Sequence, residues 1–349
     1  MVRRSVQNLI LGCCGLILWL GSEAALANVE VIGTPVASAT IRQWGNRFTS
    51  DTKIAVSYVE ALEEVATSEL FVGVYDLALV EHPLTADRLR ARGLVQFPLL
   101  CVPVVVVVNL PGIPANALRL NARVLAAMYT GEILSWNDPG IAELNPSLSL
   151  PAIPVVPIAQ SDGSAVTLNF TRYLASGSDS WRQKPGLGSG LIWPLGGKGE
   201  KDAETAAKRL MAQEGSLGFQ PWVNKTRFDL STVRLQNGRG EFITPTSGHF
   251  AGTFETFLAK SNGDFSAPVN VDGADAWPIL AVVYGQMKQI PEDVPDAQET
   301  VQMLTQILQA HVPPTDGLVS VGYEDVAQAL SQVQSEKRFG PPQRKKVGP

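Results

Sequence analysis

Four residues, Ser161-Asp162-Gly163-Ser164, stand directly before Ala165 to Ala175, a stretch whose apolar spacing predicts a helix. The first turn of a helix leaves its N–H groups without intrahelical partners, and the helix dipole favours negative charge there. Gly163 lets the backbone approach a ligand closely, and Ser164 can donate a hydroxyl. The carboxylate of Asp162 repels an anion unless that anion carries a proton to donate. The same residue types also make an ordinary helix N-cap, so this segment alone leaves ligand contact and cap both open. Other chemistries find less support. Lys198 is followed by Gly199, and the leading glycine of a phosphate-binding P-loop is misplaced. Gly186-Leu187-Gly188-Ser189-Gly190 is neither a dinucleotide fingerprint nor a nucleophile elbow. His82, His249 and His311 are far apart with no cysteine cluster, so no metal and no cofactor is implied. No Ser/His/Asp set can be assembled, and the residues do not point to an enzyme.

The elements that would position this segment alternate between strand and helix, as in α/β proteins. Strands are predicted at Glu30–Ile32, Ile54–Tyr58, Asp76–Val80, Leu99–Asn109, Val155–Ile158 and Leu217–Phe219. Helices are predicted at Ala39–Ser50, Ala61–Glu69, Thr85–Arg92, Asn121–Tyr129, Ala165–Ala175, Lys201–Gln213, Asp296–His311 and Tyr323–Gln334. The run through Val104-Val105-Val106-Val107-Val108 suits a strand covered on both faces. It contains Pro103 and is too short for a membrane helix. Leu110-Pro111-Gly112-Ile113-Pro114 marks a break where the chain is expected to cross into a second lobe. Trp277–Tyr284 is expected to carry it back.

Arg3 and Arg4, the apolar Leu9–Leu20 and Ala25-Leu26-Ala27 predict a secretory signal peptide cut after Ala27. Cys13 and Cys14 leave with it, and Cys101 remains, so no internal disulfide is expected. The chain has 349 residues and carries 28 basic and 33 acidic residues. That balance argues against nucleic acid, which rewards a basic face. The basic Arg344-Lys345-Lys346 lies in a tail read as a solvated end. The expected division is a signal at 1–27, a first lobe at 28–108 plus 278–335, a second lobe at 109–277 and the tail at 336–349.

Several phrases, in order, resemble the PstS family, the phosphate-binding extracytoplasmic proteins of ABC transporters. They are Trp136-Asn137-Asp138 with Leu144-Asn145-Pro146, Ser161-Asp162-Gly163-Ser164, Trp193-Pro194 with Gly196-Gly197-Lys198-Gly199, Gly215-Ser216-Leu217-Gly218-Phe219, and Asp275-Ala276-Trp277-Pro278-Ile279. The resemblance implies a type II periplasmic binding protein: two α/β lobes, two hinge crossings and a ligand cleft between them. It implies Asp162, Gly163 and Ser164 as ligand contacts, with Ser161, Gln160, Glu81 and Thr34 beside them. The family loop reads Arg-x-Asp-Gly-Ser-Gly-Thr. Here Gln160 replaces the Arg, Ala165 the second Gly and Val166 the Thr. The family's Ser-Asp-x-Pro-Leu is Val80-Glu81-His82-Pro83-Leu84, and its Gly/Ser-rich second loop is Val59-Glu60-Ala61-Leu62-Glu63-Glu64. Loss of the Arg removes charge-assisted donors, each worth about 1.5–3 kcal/mol. The expectation is therefore a monomeric periplasmic solute-binding protein that holds phosphate or another small oxyanion weakly and serves an ABC permease or a sensor. The alternative is an interaction or sensing protein of the same fold that has lost phosphate. His82 is read as an exposed loop residue, and Trp136, Trp193 and Trp277 as packing.

Overall fold

The computed structural model describes residues 29–195, 197–261 and 268–333. The predicted signal peptide and the basic tail lie outside the described residues. Strand β1 (Val29–Gly33) pairs in parallel with β2 (Val56–Glu60) on one side and β3 (Leu77–Val80) on the other. Two helices make the crossovers that parallel pairing requires. In α1 (Ser38–Thr52), Ile41, Trp44 and Phe48 recur at helical spacing and are buried against the sheet. α2 (Glu63–Val72) begins with two acids, Glu63 and Glu64, which suit a helix N-terminus. It ends at Gly73 in the left-handed conformation. α3 (Ala86–Arg92) follows β3, capped by the Thr85 hydroxyl, which accepts from the Arg88 N–H.

β4 (Leu94–Val108) is the axis of the molecule. All fifteen of its residues except Gln96 are buried. The sequence predicts a strand over 99–109; the structure starts it at Leu94, ahead of two prolines. Both prolines sit where a missing N–H does no harm. Pro98 lies opposite Tyr284, at a register shift, and Pro103 lies where β4 changes partner. From Leu94 to Pro103, β4 pairs antiparallel with the returning strand. From Val104 to Val108 it pairs antiparallel with β6. The change between the halves of the sheet therefore falls inside the strand, ahead of the Pro-Gly break.

The second half adds α4 (Ala122–Thr130), β5 (Val156–Pro157), α5 (Ala165–Gly177), α6 (Ala203–Ala212) and β6 (Ser216–Pro221). β5 pairs in parallel with β6. α7 (Ser247–Lys260) has no counterpart among the predicted elements, although Thr246 caps it and Phe250, Phe254 and Phe257 line its buried face. β7 (Leu280–Lys288) then returns between β3 and β4, antiparallel to both. α8 (Val294–Gln309) and α9 (Tyr323–Leu330) finish the first half, packed on α1 and β4 respectively. The principal strand order is β2-β1-β3-β7-β4-β6-β5. The fold is a mixed α/β sheet in two halves that share β4, with helices over it. One apolar cluster runs through both halves, from Val29 to Val333. The buried thiol of Cys101 lies within it, and burial raises its pKa well above the usual thiol range.

Candidate functional site

Three chain segments meet at the start of α5. From the first half come the turn after β1 and the end of β3; from the second comes the loop before α5. Thr34 is almost fully buried; its N–H donates to Leu79 O and its carbonyl accepts from Tyr58 Oη at 2.6 Å. Its hydroxyl donates to Glu81 Oε1 at 2.5 Å. The other oxygen, Glu81 Oε2, accepts from the Ala165 N–H at 2.9 Å. Ala165 is the first residue of α5. A carboxylate of the first half thus sits on the helix start of the second, where an anion is favoured. Burial pushes the Glu81 carboxyl up from the usual carboxylate range, the Thr34 and Ala165 hydrogen bonds pull it down, and the charge of Asp162 raises it.

The loop before α5 is tightly bonded to itself. Asp162 Oδ1 accepts from the Ser164 N–H at 3.1 Å, the Ser164 hydroxyl at 2.8 Å and the Thr167 hydroxyl at 2.7 Å. Ser164 caps the helix, its Oγ accepting from the Thr167 N–H. Gly163, at φ +78°, has the left-handed backbone that a side chain would strain, and its N–H donates to Ser189 O at 3.1 Å. The Ser161 hydroxyl donates to Leu191 O at 2.7 Å and accepts from the Gly199 N–H. Gln160 is fully buried, with Nε2 donating to Phe219 O. The structure therefore gathers Thr34, Glu81, Asp162 and Ser164 around the start of α5. Gln160 and Ser161 face the loops and strand behind it.

Two charged neighbours escape a reading of the sequence alone. His82 is half-buried rather than an exposed loop residue. Its N–H donates to Glu63 Oε1 at 3.0 Å, and its Nδ1 lies 2.8 Å from Glu63 Oε2. That hydrogen bond, the largest influence, holds the imidazolium above the usual histidine range. Glu63 thereby ties the start of α2 to the Glu81 loop, while Glu60 and Glu64 are exposed. Arg172, on α5, lies within charge range of both His82 and Tyr284, and its pKa is lowered chiefly by burial. Helical spacing puts Arg172 two turns from Ala165, the one signal that could have drawn attention to it. Among the described residues no group of three or more His, Cys, Asp or Glu side chains could hold a metal.

Residues 21–252 match the family model described as PBP superfamily domain. The phosphate-binding protein PstS of Xylella fastidiosa is 32% identical over 262 residues, covering 75% of this chain and 72% of the relative. The chain belongs to the PstS family. The PstS of Haemophilus influenzae is 30% identical over 243 residues, covering 69% of this chain and 72% of that protein. The ancestral soluble variant of the human phosphate binding protein, a crystal structure, has the same fold. It superposes with a TM-score of 0.61 at 13% identity, covering 87% of this chain and 93% of the other.

Within this PstS-family chain, the phrases that carry the resemblance are mostly structural. The indole N–H of Trp136 donates to Gly215 O, that of Trp193 to Gln160 O and that of Trp277 to Val104 O, and all three rings are buried. A Cβ on Gly199 would lie 2.6 Å from the carbonyl carbon of Gln160, so that glycine lets one loop press against the other. Trp193 and Gly199 fix the loop that presents Asp162 and Ser164, whereas Trp136 and Trp277 tie the chain together elsewhere in the core.

Proposed function

We propose that the chain is an exported solute-binding protein that takes a small oxyanion, phosphate before others, at the start of α5. It would present that ligand to an ABC permease or a sensor, acting as a monomer in the periplasm and binding rather than transforming its ligand. One observation carries this reading: a carboxylate already lies between the Thr34 hydroxyl and the Ala165 N–H, so the two halves together offer donors to one anion. The names of the PstS relatives support phosphate as the ligand. The half-buried Arg172, near His82, adds positive charge on the same helix. Gln160 supplies no compensating cation, because its amide is neutral, and its Nε2 donates to Phe219 O.

The decisive measurement is a calorimetric titration of residues 28–349 with phosphate near neutral pH. Saturable one-site heat is expected, with a Kd of about 1 μM or weaker. The absence of heat and of any thermal shift with phosphate, arsenate and sulfate would reject the reading. That outcome would favour a PstS-like interaction or sensing protein, a second reading suggested by Glu81 already filling the place an oxyanion would take.

A further inference from the structure

The two oxygens of Glu81 serve different halves of the molecule. Oε1 accepts from Thr34, on the turn after β1, and Oε2 accepts from the N–H of Ala165, the first residue of α5. Nothing stands between these groups: the bonds are direct, at 2.5 Å and 2.9 Å. Glu81 follows β3 immediately and is anchored on its other side, because the next N–H, that of His82, donates to Glu63 on α2. The carboxylate is thus delivered from a braced position rather than from a free loop. At the receiving end, α5 is thirteen residues long, enough for a full terminal dipole. The neighbouring N–H groups of Gly163, Ser164 and Thr167 are engaged by Ser189, Asp162 and Ser164 respectively. The Ala165 N–H is the one that this side chain takes.

We propose that Glu81 is an internal latch: its carboxylate acts as the chain's own oxyanion at the start of α5 and holds the two halves together, so a soluble anion must displace it. For the identity of that competing anion the latch rests on the function proposed above; for the closure itself it does not. It also predicts a weak site. A protein whose receptive state is a minor fraction binds with its affinity reduced by that fraction. A rival explanation for closure is the packing of α5 against β7, which joins the halves without any carboxylate.

The test compares residues 28–349 with their Glu81→Ala and Glu81→Gln variants, by small-angle X-ray scattering and by hydrogen exchange of the Ala165 amide, with no anion and then with phosphate. Far-UV circular dichroism establishes that each variant is folded. E81A is expected to show a larger radius of gyration and a deprotected Ala165 amide. E81Q keeps one acceptor without the charge and should fall between. Phosphate should restore the compact form of E81A, with affinity about tenfold tighter than for the unsubstituted chain. If E81A keeps the original dimensions and the original Ala165 protection, the packing of α5 on β7 holds the halves and the latch is wrong. Should E81A not fold, E81Q decides: unchanged exchange at Ala165 overturns the proposal, and faster exchange upholds it. The two ideas fail separately. If E81A opens while neither protein binds phosphate, the latch stands and the oxyanion reading falls. If the unsubstituted chain binds phosphate and E81A stays closed, the reverse holds.

Discussion

A single oxygen of Asp162 receives three hydrogen bonds, from the Ser164 N–H and the hydroxyls of Ser164 and Thr167. Such a network is a helix-start brace first, whatever ligand lies beyond it. Asp162→Ala should therefore destabilise the protein by about 1–2 kcal/mol, the range seen when a capping side chain is removed. Urea unfolding without any anion measures this directly, since the midpoint shifts while the slope stays constant. An unchanged midpoint would mean that Asp162 is held for its ligand alone. Residue types and spacing marked Asp162, Gly163 and Ser164, because a helix start announces itself in the local sequence. They could not say which N–H groups were already taken. The bond from Ala165 to Glu81 spans 84 residues, and the pairing of His82 with Glu63 depends on how α2 lies against the end of β3. No local pattern encodes such partners.

The placement of charge on an element can oppose its neighbours. α8 begins with Asp293 as its N-cap and Asp296 in its first turn, which suits the helix dipole. The same acids face Asp76, just before β3, whose Oδ2 accepts from the Glu30 N–H at 2.9 Å. Burial, with Asp296, Glu30 and Asp293 adding, raises the Asp76 carboxyl to about 7, while the Glu30 hydrogen bond pulls it down. A carboxyl with a raised folded-state pKa binds its proton more tightly folded than unfolded. Its contribution is then fully present at low pH, and stability falls as pH rises from about 4 through about 7. The melting temperature should drop by a few degrees between about pH 5 and about pH 8, and Asp76→Asn should flatten that drop. An equal drop in D76N would place the effect on other groups. The elements themselves were largely legible: α1, α4, α5 and α8 begin and end close to their apolar periodicity and caps. The start of β4 was harder: the apolar run marked Leu99–Asn109 with Pro103 inside it, whereas the strand begins at Leu94, ahead of Pro98, which a register shift accommodates. α7 was missed although Phe250, Phe254 and Phe257 carry a helical spacing.

At the scale of the whole molecule, two halves share one core. β4 runs through both, buried along nearly its whole length, and the apolar cluster is continuous from the first strand to the last helix. Two-lobed architecture suggests independent units, but domains that fold separately need boundaries crossed by few contacts. Here the boundary lies inside a central strand, and the Val104 N–H donates back to Ile279 O beside the returning β7. Separating the halves in the unfolding reaction would expose β4 and β7 along faces that are buried in both. Unfolding is therefore expected to be a single cooperative event. The tryptophans provide the test. Trp44 is buried in the first half, whereas Trp136, Trp181, Trp193 and Trp277 are buried in the second. In residues 28–349 carrying Trp44→Phe, fluorescence reports on the second half while far-UV circular dichroism reports on all elements. The two urea curves should coincide, with one midpoint. Curves that separate would show the second half melting on its own, and β4 would then be a joint between two cores rather than the spine of one.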